Sequence, residues 1–394
     1  MVERHIGSSE EPTVAPAPDE PRAAARFLLL FSGILAAVAA VVFAVSVQLN
    51  IFGYFGDTGY FHVLNDRKAK VDFLRSIPRE DLPEAYFLGS SDMLPFQPSQ
   101  NEQIFGLKTF NLGNFWGRVE EMWAWTNFLI HDLGAPPKML IIGVEPWTFS
   151  ADTSGPPLLN EYRRRFIVTE DLVKYAPQYS WWRGELSKVL DQMSQQNLKL
   201  MLKTLMNSGA QRSSVPVLED GHDGTHGHYN GVNPAPAFPP DVMAFYAAYY
   251  NGELNDPAST EAERSALIAR QYIRRQEVLL RLPKDRMDDS DIDLFEHLME
   301  LAQDHDIEVG VILLPVHPYF KDLLSQQTRY STHIEVLKER MADLQGRYDA
   351  IKVVFDATDL SFFGGDPNAF HDQNHMTPVN TRLIMDAVAE RWGD

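Results

Sequence analysis

The sequence predicts an α/β domain built on a mostly parallel sheet, preceded by one transmembrane helix and carrying a largely helical insertion. Three observations predict it. Short apolar runs that read as strands alternate with amphipathic stretches that read as helices, the pattern of a sheet covered on both faces. One uncharged stretch near the N-terminus is long enough to cross a bilayer. Between Ser150 and about Leu282 the alternation stops, and helical periods and a loop rich in Gly, His and Pro replace it.

The elements follow in order. Residues 1–25, rich in Pro, Ala and Glu, read as a disordered cytoplasmic tail. Residues 26–50 contain FLLLFSGILAAVAAVVFAVSVQL, with no charge from Phe27 to Leu49. A buried soluble helix would keep one polar face, and a cleaved signal peptide would have a shorter apolar region. Here every face is apolar, and aromatics follow in QLNIFGYFGDTGYF, where an interface belt would sit. The segment therefore reads as an uncleaved signal anchor. Arg22 and Arg26, just before it, favour a cytoplasmic N-terminus, while Arg67, Lys68 and Lys70 follow at a distance. Residues 51–394 are then expected on the periplasmic or extracellular side of the cell membrane.

Within that domain EAYFLGSS reads as a strand and turn, and KTFNLGN as a short strand ending in a glycine turn. RVEEMWAWTNFLIHDL has helical spacing, and PKMLIIGVEPWTF contains the buried strand LIIGV. After the insertion (150–282) come the helix DIDLFEHLMELAQDHD, the strand IEVGVILLPVHP, the helix THIEVLKERMADLQGRY and the strand IKVVFDAT. TPVNTRLIMDAVAERW closes the chain as an amphipathic helix. Ligands of such sheets sit at the carboxyl ends of the strands.

Composition excludes several classes. A net charge of −19 over 394 residues argues against nucleic acid, whose phosphates demand clustered Lys and Arg. The absence of cysteine excludes disulfides, thiolate chemistry and Cys-ligated zinc. No cofactor is implied. His222, Asp223, His226 and His228 are metal-ligand types, but their Gly-rich loop does not preorganise them, and no metal site is expected there. Trp181 and Trp182 could stack on sugar rings or divide between core and surface. Arg163 to Arg165, the one dense basic run, reads as a solvated face or an anion contact.

The chemistry-bearing signal is at the two ends of the domain. Ser90 and Ser91 follow a strand, where a hydroxyl can be presented at the sheet's edge. A serine needs a base, and Asp372 and His375 stand three apart just before the last helix. A carboxylate there can hold the imidazole while its other nitrogen faces a serine. The plain alternative is a polar loop that caps the helix.

Gly89-Ser90-Ser91, the NLG of residues 111–113 and D-x-x-H near the end together resemble the blocks of SGNH (GDSL-type) hydrolases. Within that superfamily the chain looks most like the membrane-anchored branch that acts in O-acylation of cell-surface polymers. That branch includes the D-alanyl-lipoteichoic-acid transfer protein and the alginate O-acetylation proteins. The resemblance covers roughly residues 84–149 and 291–392 and implies a three-layer α/β/α fold. It implies Ser91 as nucleophile, His375 as general base and Asp372 as orienter. Gly113 and the Ser91 N–H are implied at the oxyanion site, and Asn111 or Asn114 could substitute for a third donor. His317, at a strand's carboxyl end between prolines, is expected either to line the substrate cleft or to cap the strand, and Trp147 is expected at the cleft. One departure is Glu145, near the place where the family's third block offers an Asn, because a carboxylate would repel an oxyanion. Asp92 is another, since a basic or neutral residue is frequent after the serine in that branch. The expected activity is serine-dependent O-acyltransferase or esterase chemistry on an exported or cell-surface polysaccharide, with acetyl as the expected acyl group. The alternative is a non-catalytic glycan-binding protein or docking partner of a multi-pass membrane O-acyltransferase.

Overall fold

Five strands form one parallel sheet in the order β2-β1-β3-β4-β5. They are β1 (Ala85–Leu88), β2 (Thr109–Asn111), β3 (Met139–Val144), β4 (Glu308–Leu313) and β5 (Ile351–Asp356). The structure is a computed structural model. It describes residues 20–51, 58–59, 66–114, 117–149, 170–175, 186, 189–190, 192–206, 213–214, 289–327, 329–367, 369–370 and 374–393.

Parallel pairing follows from the sequence. The inner strands β1, β3 and β4 are buried on both faces almost throughout, which only a sheet covered by helices tolerates. Alternate residues enter two separate cores. Tyr86, Leu88, Leu140, Ile142, Val309 and Val311 pack on one face with α2 (Asp66–Ser76), α4 (Val119–Asn127), α6 (Asp289–Asp304) and α8 (Tyr330–Arg347). Ala85, Phe87, Met139, Ile141, Ile312 and Phe355 pack on the other with α3 (Pro98–Phe105) and α9 (Pro378–Glu390). Period-2 strand geometry requires this split. Helix α7 (Pro318–Gln327) packs beside α8 through Phe320, Leu324, Tyr330 and Ile334.

The strand order positions the site. From β1 the chain crosses to β2 on one side, then returns past β1 to β3 on the other. The ends of β1 and β3, paired through Leu88 and Ile142, therefore flank the topological switch point, where connections diverge and leave a crevice.

At the N-terminus, α1 (Glu20–Leu49) is long and apolar enough over Ala23–Leu49 to cross a membrane. Its far end contacts helix α5 (Gln195–Met206) in the insertion. Thr58–Gly59 pairs antiparallel with Ser213–Ser214, a second tie between the juxtamembrane chain and the insertion.

Three helices escaped sequence reading. In α2 the charged residues Arg67, Lys68, Lys70, Asp72 and Arg75 obscure an apolar period carried by Val71 and Leu74. Those charges have work in the fold. Arg67 forms a buried ion pair with Glu121, Lys68 pairs with Asp72, and buried Lys70 donates to the Gly113 carbonyl at 2.6 Å. Helix α3 is short, and α7 starts at Pro318, the residue on which the strand reading ends. The helix read over 118–133 is α4 continued by a π-helical turn, Phe128–Asp132.

Candidate active site

The chain leaves β1 through a turn that only glycine allows. Gly89 has φ 149°, and a Cβ there would lie 2.5 Å from Met93 Cγ and 2.9 Å from the Gly143 carbonyl oxygen. Ser91–Met93 then form one 3-10 turn. Ser90 caps it, its Oγ accepting the Asp92 N–H at 3.1 Å. Met93, fully buried, locks the turn onto the sheet. Helix α3 begins only at Pro98, because a proline suits the first helical position and biases the residue before it away from helix. The dipole of a single 3-10 turn is a weak source of charge stabilisation.

His375 arrives from the other end of the chain. Phe370 and Met376, both fully buried, form an antiparallel bridge that closes the loop carrying it. The Thr377 N–H donates to the Ala369 carbonyl at 3.0 Å, and Thr377 caps α9. The loop sets His375 Nε2 at 2.8 Å from Ser91 Oγ. Ser91 is half-buried, and the His375 side chain is 13% exposed. A hydroxyl and an imidazole at this distance, open to solvent on one side, can exchange a proton. Asp372, the expected orienter, lies outside the described residues. So do Trp181, Trp182, the 163–165 basic run, the His222 to His228 loop and residues 1–19 of the tail expected over 1–25, whose residues 20–25 instead begin α1.

A carboxylate does meet the pair. Asp92 Oδ1 lies 3.5 Å from His375 Nε2 and accepts Asn374 Nδ2 at 2.6 Å. It approaches the nitrogen that faces Ser91, so it can stabilise an imidazolium but does not hold the opposite ring nitrogen as an orienter would. Behind it lies Glu145, at the end of β3. Ser90 Oγ donates to Glu145 Oε1 at 2.7 Å, and Thr148 Oγ1 donates to Oε2 at 2.9 Å. Asp92 and Glu145 act on each other's titration, as two neighbouring carboxyl groups do. Burial pushes Glu145 above its ordinary carboxylate range, against the hydrogen bonds from Asp92, Ser90 and Thr148 that pull it down. Sequence reasoning flagged Asp92 and Glu145 only as departures and missed their contact. The sole signal was a carboxyl residue at the end of each of two strands that turned out adjacent.

The other expected residues fall as follows. The Gly113 N–H donates to Asn111 Oδ1 at 2.8 Å, while Asn111 Nδ2 binds the carbonyls of Met93 and Phe96 at 2.9 and 3.0 Å. Asn114 donates its N–H to the Gly89 carbonyl at 3.2 Å and its Nδ2 to the Leu112 carbonyl at 2.6 Å. Both expected oxyanion donors are thus engaged with the protein's own acceptors. The Ser91 N–H meets no acceptor among the described residues. His317, nearly buried, stacks edge-on to Phe370 with centroids 5.4 Å apart, next to the His375 loop. Trp147 is half-buried against Val316, Phe320 and Tyr330. No group of three or more metal-ligating side chains gathers among the described residues.

Comparison with family models finds no match for this chain, and comparison with curated proteins finds none either.

Proposed function

We propose that the protein is a membrane-anchored, serine-dependent acyltransferase or esterase of SGNH-like, three-layer α/β/α build. The single observation that supports this most is the 2.8 Å approach of Ser91 Oγ to His375 Nε2 at the strand-order switch point. Ser91 Oγ attacks an acyl carbonyl while His375 Nε2 takes its proton. The tetrahedral intermediate collapses, and His375 returns that proton to the departing alcohol. An acceptor hydroxyl, from a sugar or from water, then gives its proton to His375 and attacks the serine ester. Ser91 leaves with the proton. Asp372 holds the imidazole, and the Ser91 N–H is one oxyanion donor. The anchor and the resemblance noted above suggest an exported or cell-surface polysaccharide as the O-acylated polymer, with the domain outside the cytoplasm. His317 and Trp147 would border the cleft.

The test is labelling of the detergent-solubilised full-length protein with a fluorophosphonate, with Ser91→Ala and His375→Ala as controls. Labelling lost in both variants is the expected result. Wild-type protein that takes no label would sink the catalytic reading.

A second reading is favoured by one specific observation. The Gly113 N–H is spent on Asn111, and an oxyanion hole short of one donor can lose roughly 100-fold or more in rate. On that reading the cleft binds a glycan, or docks on a multi-pass O-acyltransferase, without turning over. An unlabelled wild type whose Ser91→Ala variant still disrupts polymer modification in cells would establish it.

A further inference from the structure

Helix α5 of the insertion has three faces, and only two are explained by the protein. Asn197, Met201 and Thr204 are buried, with Met201 packed on Leu49 and Ile51 at the end of α1. Asn197 Nδ2 and Gln192 Oε1 both bond Ser46 Oγ, a fully buried hydroxyl on α1. Lys199 and Lys203, four apart, make a second, exposed face. Between them runs a third face of Leu198, Leu202, Leu205 and Met206, exposed by 42%, 52%, 62% and 83%. The stretch just before α5 repeats the pattern. Leu186, Val189, Leu190 and Met193, at i, i+3, i+4 and i+7, are all exposed.

We propose that α5 and the stretch before it lie in the membrane interface, with this apolar stripe in the lipid and Lys199 and Lys203 at the headgroups. The placement is set by α1, and the inference rests on the reading of α1 as a membrane span. An apolar helix needs about 20 residues to cross the hydrocarbon core. Counted from Phe27, that distance is used up near Ser46, where α5 is bonded to α1. The stripe therefore begins at the depth where the hydrocarbon ends. An amphipathic helix with a leucine face and lysines at its margin is the form that partitions there. Lysine stems can run along the apolar boundary while their charges reach lipid phosphates. The insertion then does more than cover the sheet. It fixes the height and tilt of the domain over the bilayer, and with it the approach of a membrane-associated acyl donor or acceptor.

The chain has no cysteine, so single labels are clean. Full-length Leu202→Cys, Leu205→Cys, Val41→Cys and Glu335→Cys are each labelled with the fluorophore NBD. They are reconstituted in phosphatidylcholine–phosphatidylglycerol vesicles, with or without phosphatidylcholine spin-labelled near its headgroup. Val41 reports the span itself, and Glu335, exposed on α8, reports water. The expected result is blue-shifted emission at Leu202 and Leu205 and loss of that emission with the spin-labelled lipid. A water-like, unquenched signal at Leu202 and Leu205, with Val41 in lipid, overturns this proposal and leaves the anchor standing. Blue-shifted emission there that the lipid label does not quench means that protein, such as a second copy, covers the stripe, and also overturns it. A water-like signal at Val41 removes the anchor and the interfacial helix together.

Discussion

Ser91 differs from Ser90 only by its neighbours, and those neighbours assign the roles. Ser91 Oγ faces His375 in a half-buried position, while Ser90 Oγ is held between the Asp92 N–H and Glu145. Ser91→Ala is expected to abolish probe labelling and turnover of a small acetyl ester without lowering the thermal midpoint. Ser90→Ala should keep part of the activity but cost stability, about 1–3 kcal/mol, because it strands a buried N–H and a buried carboxyl. Denaturant titration of both variants checks this, and a dead Ser90→Ala beside a live Ser91→Ala would reverse the assignment. The acid that serves His375 is open to a matching comparison. Asp372→Asn should lower acyl transfer by roughly 10⁴-fold with the fold intact. Near wild-type activity in that variant, with loss in Asp92→Asn, would make Asp92 the acid. Glu145 gives a pH signature. Its folded pKa is raised above its ordinary value of 4.5, so the fold binds a proton that the unfolded chain has lost. Its contribution is therefore fully present below pH 4.5 and fades as pH rises towards the higher folded value. Glu145→Gln, which keeps the shape and stays neutral, should flatten that fall. Melting curves from pH 4 upward would show it, and parallel curves for the two proteins would mean that no raised carboxyl is present.

At the scale of elements, the Ser91–His375 pair depends on how two short turns are clamped to the sheet. Gly89→Ala forces a side chain into a left-handed φ and against the Gly143 carbonyl, which cannot give way as a flexible side chain would. Overpacking of this kind costs typically 1–3 kcal/mol, and the φ adds to it. The variant should lose thermal stability and fluorophosphonate labelling together, and adding Met93→Ala should not restore either. Recovery in the double variant would show that the backbone contact is unimportant. The same turn marks how far the sequence could be read. The strands were legible because LIIGV and VGVIL are continuous apolar runs, the mark of buried parallel strands. Ser91 and His375 were legible because each stands at the end of a periodic segment. Helix α2 was not, since its polar residues are recruited to Glu121 and Gly113, partners distant in sequence. The Asp92–Glu145 contact was hidden for the same reason: it depends on β1 and β3 being neighbours in space, a fact of strand order. The expected role of Gly113 shows the converse. The resemblance supplied a backbone donor, but Asn111, two residues away, folds its side chain onto that donor, and no pattern of residue types reveals a side-chain direction.

At the scale of the whole molecule, the question is which side of the membrane the sheet occupies. Helix α1 presents bare apolar surface from Phe27 to Val38, and packing begins only in its last turns, on Val42, Val45 and Leu49. The domain therefore adjoins the C-terminal end of the span and shares one side with α5. Charge near the span is divided. Arg22 and Arg26 precede it, and Arg67, Lys68 and Lys70 follow it within α2. The later cations are accounted for by the fold. Arg67 neutralises a buried Glu121, and an unpaired buried charge there would cost about 3–5 kcal/mol. The two arginines stand just before the span, where positive charge retains a terminus in the cytoplasm. A phosphatase that is active only outside the cytoplasm, fused after Asp394, should therefore be active in cells. Arg22→Glu combined with Arg26→Glu should reduce that activity, because it removes the nearer positive flank and leaves the later cations to compete. A reporter that works only on the cytoplasmic side would deny the domain access to an exported polymer, and the proposed activity would then need an intracellular acyl ester as its substrate.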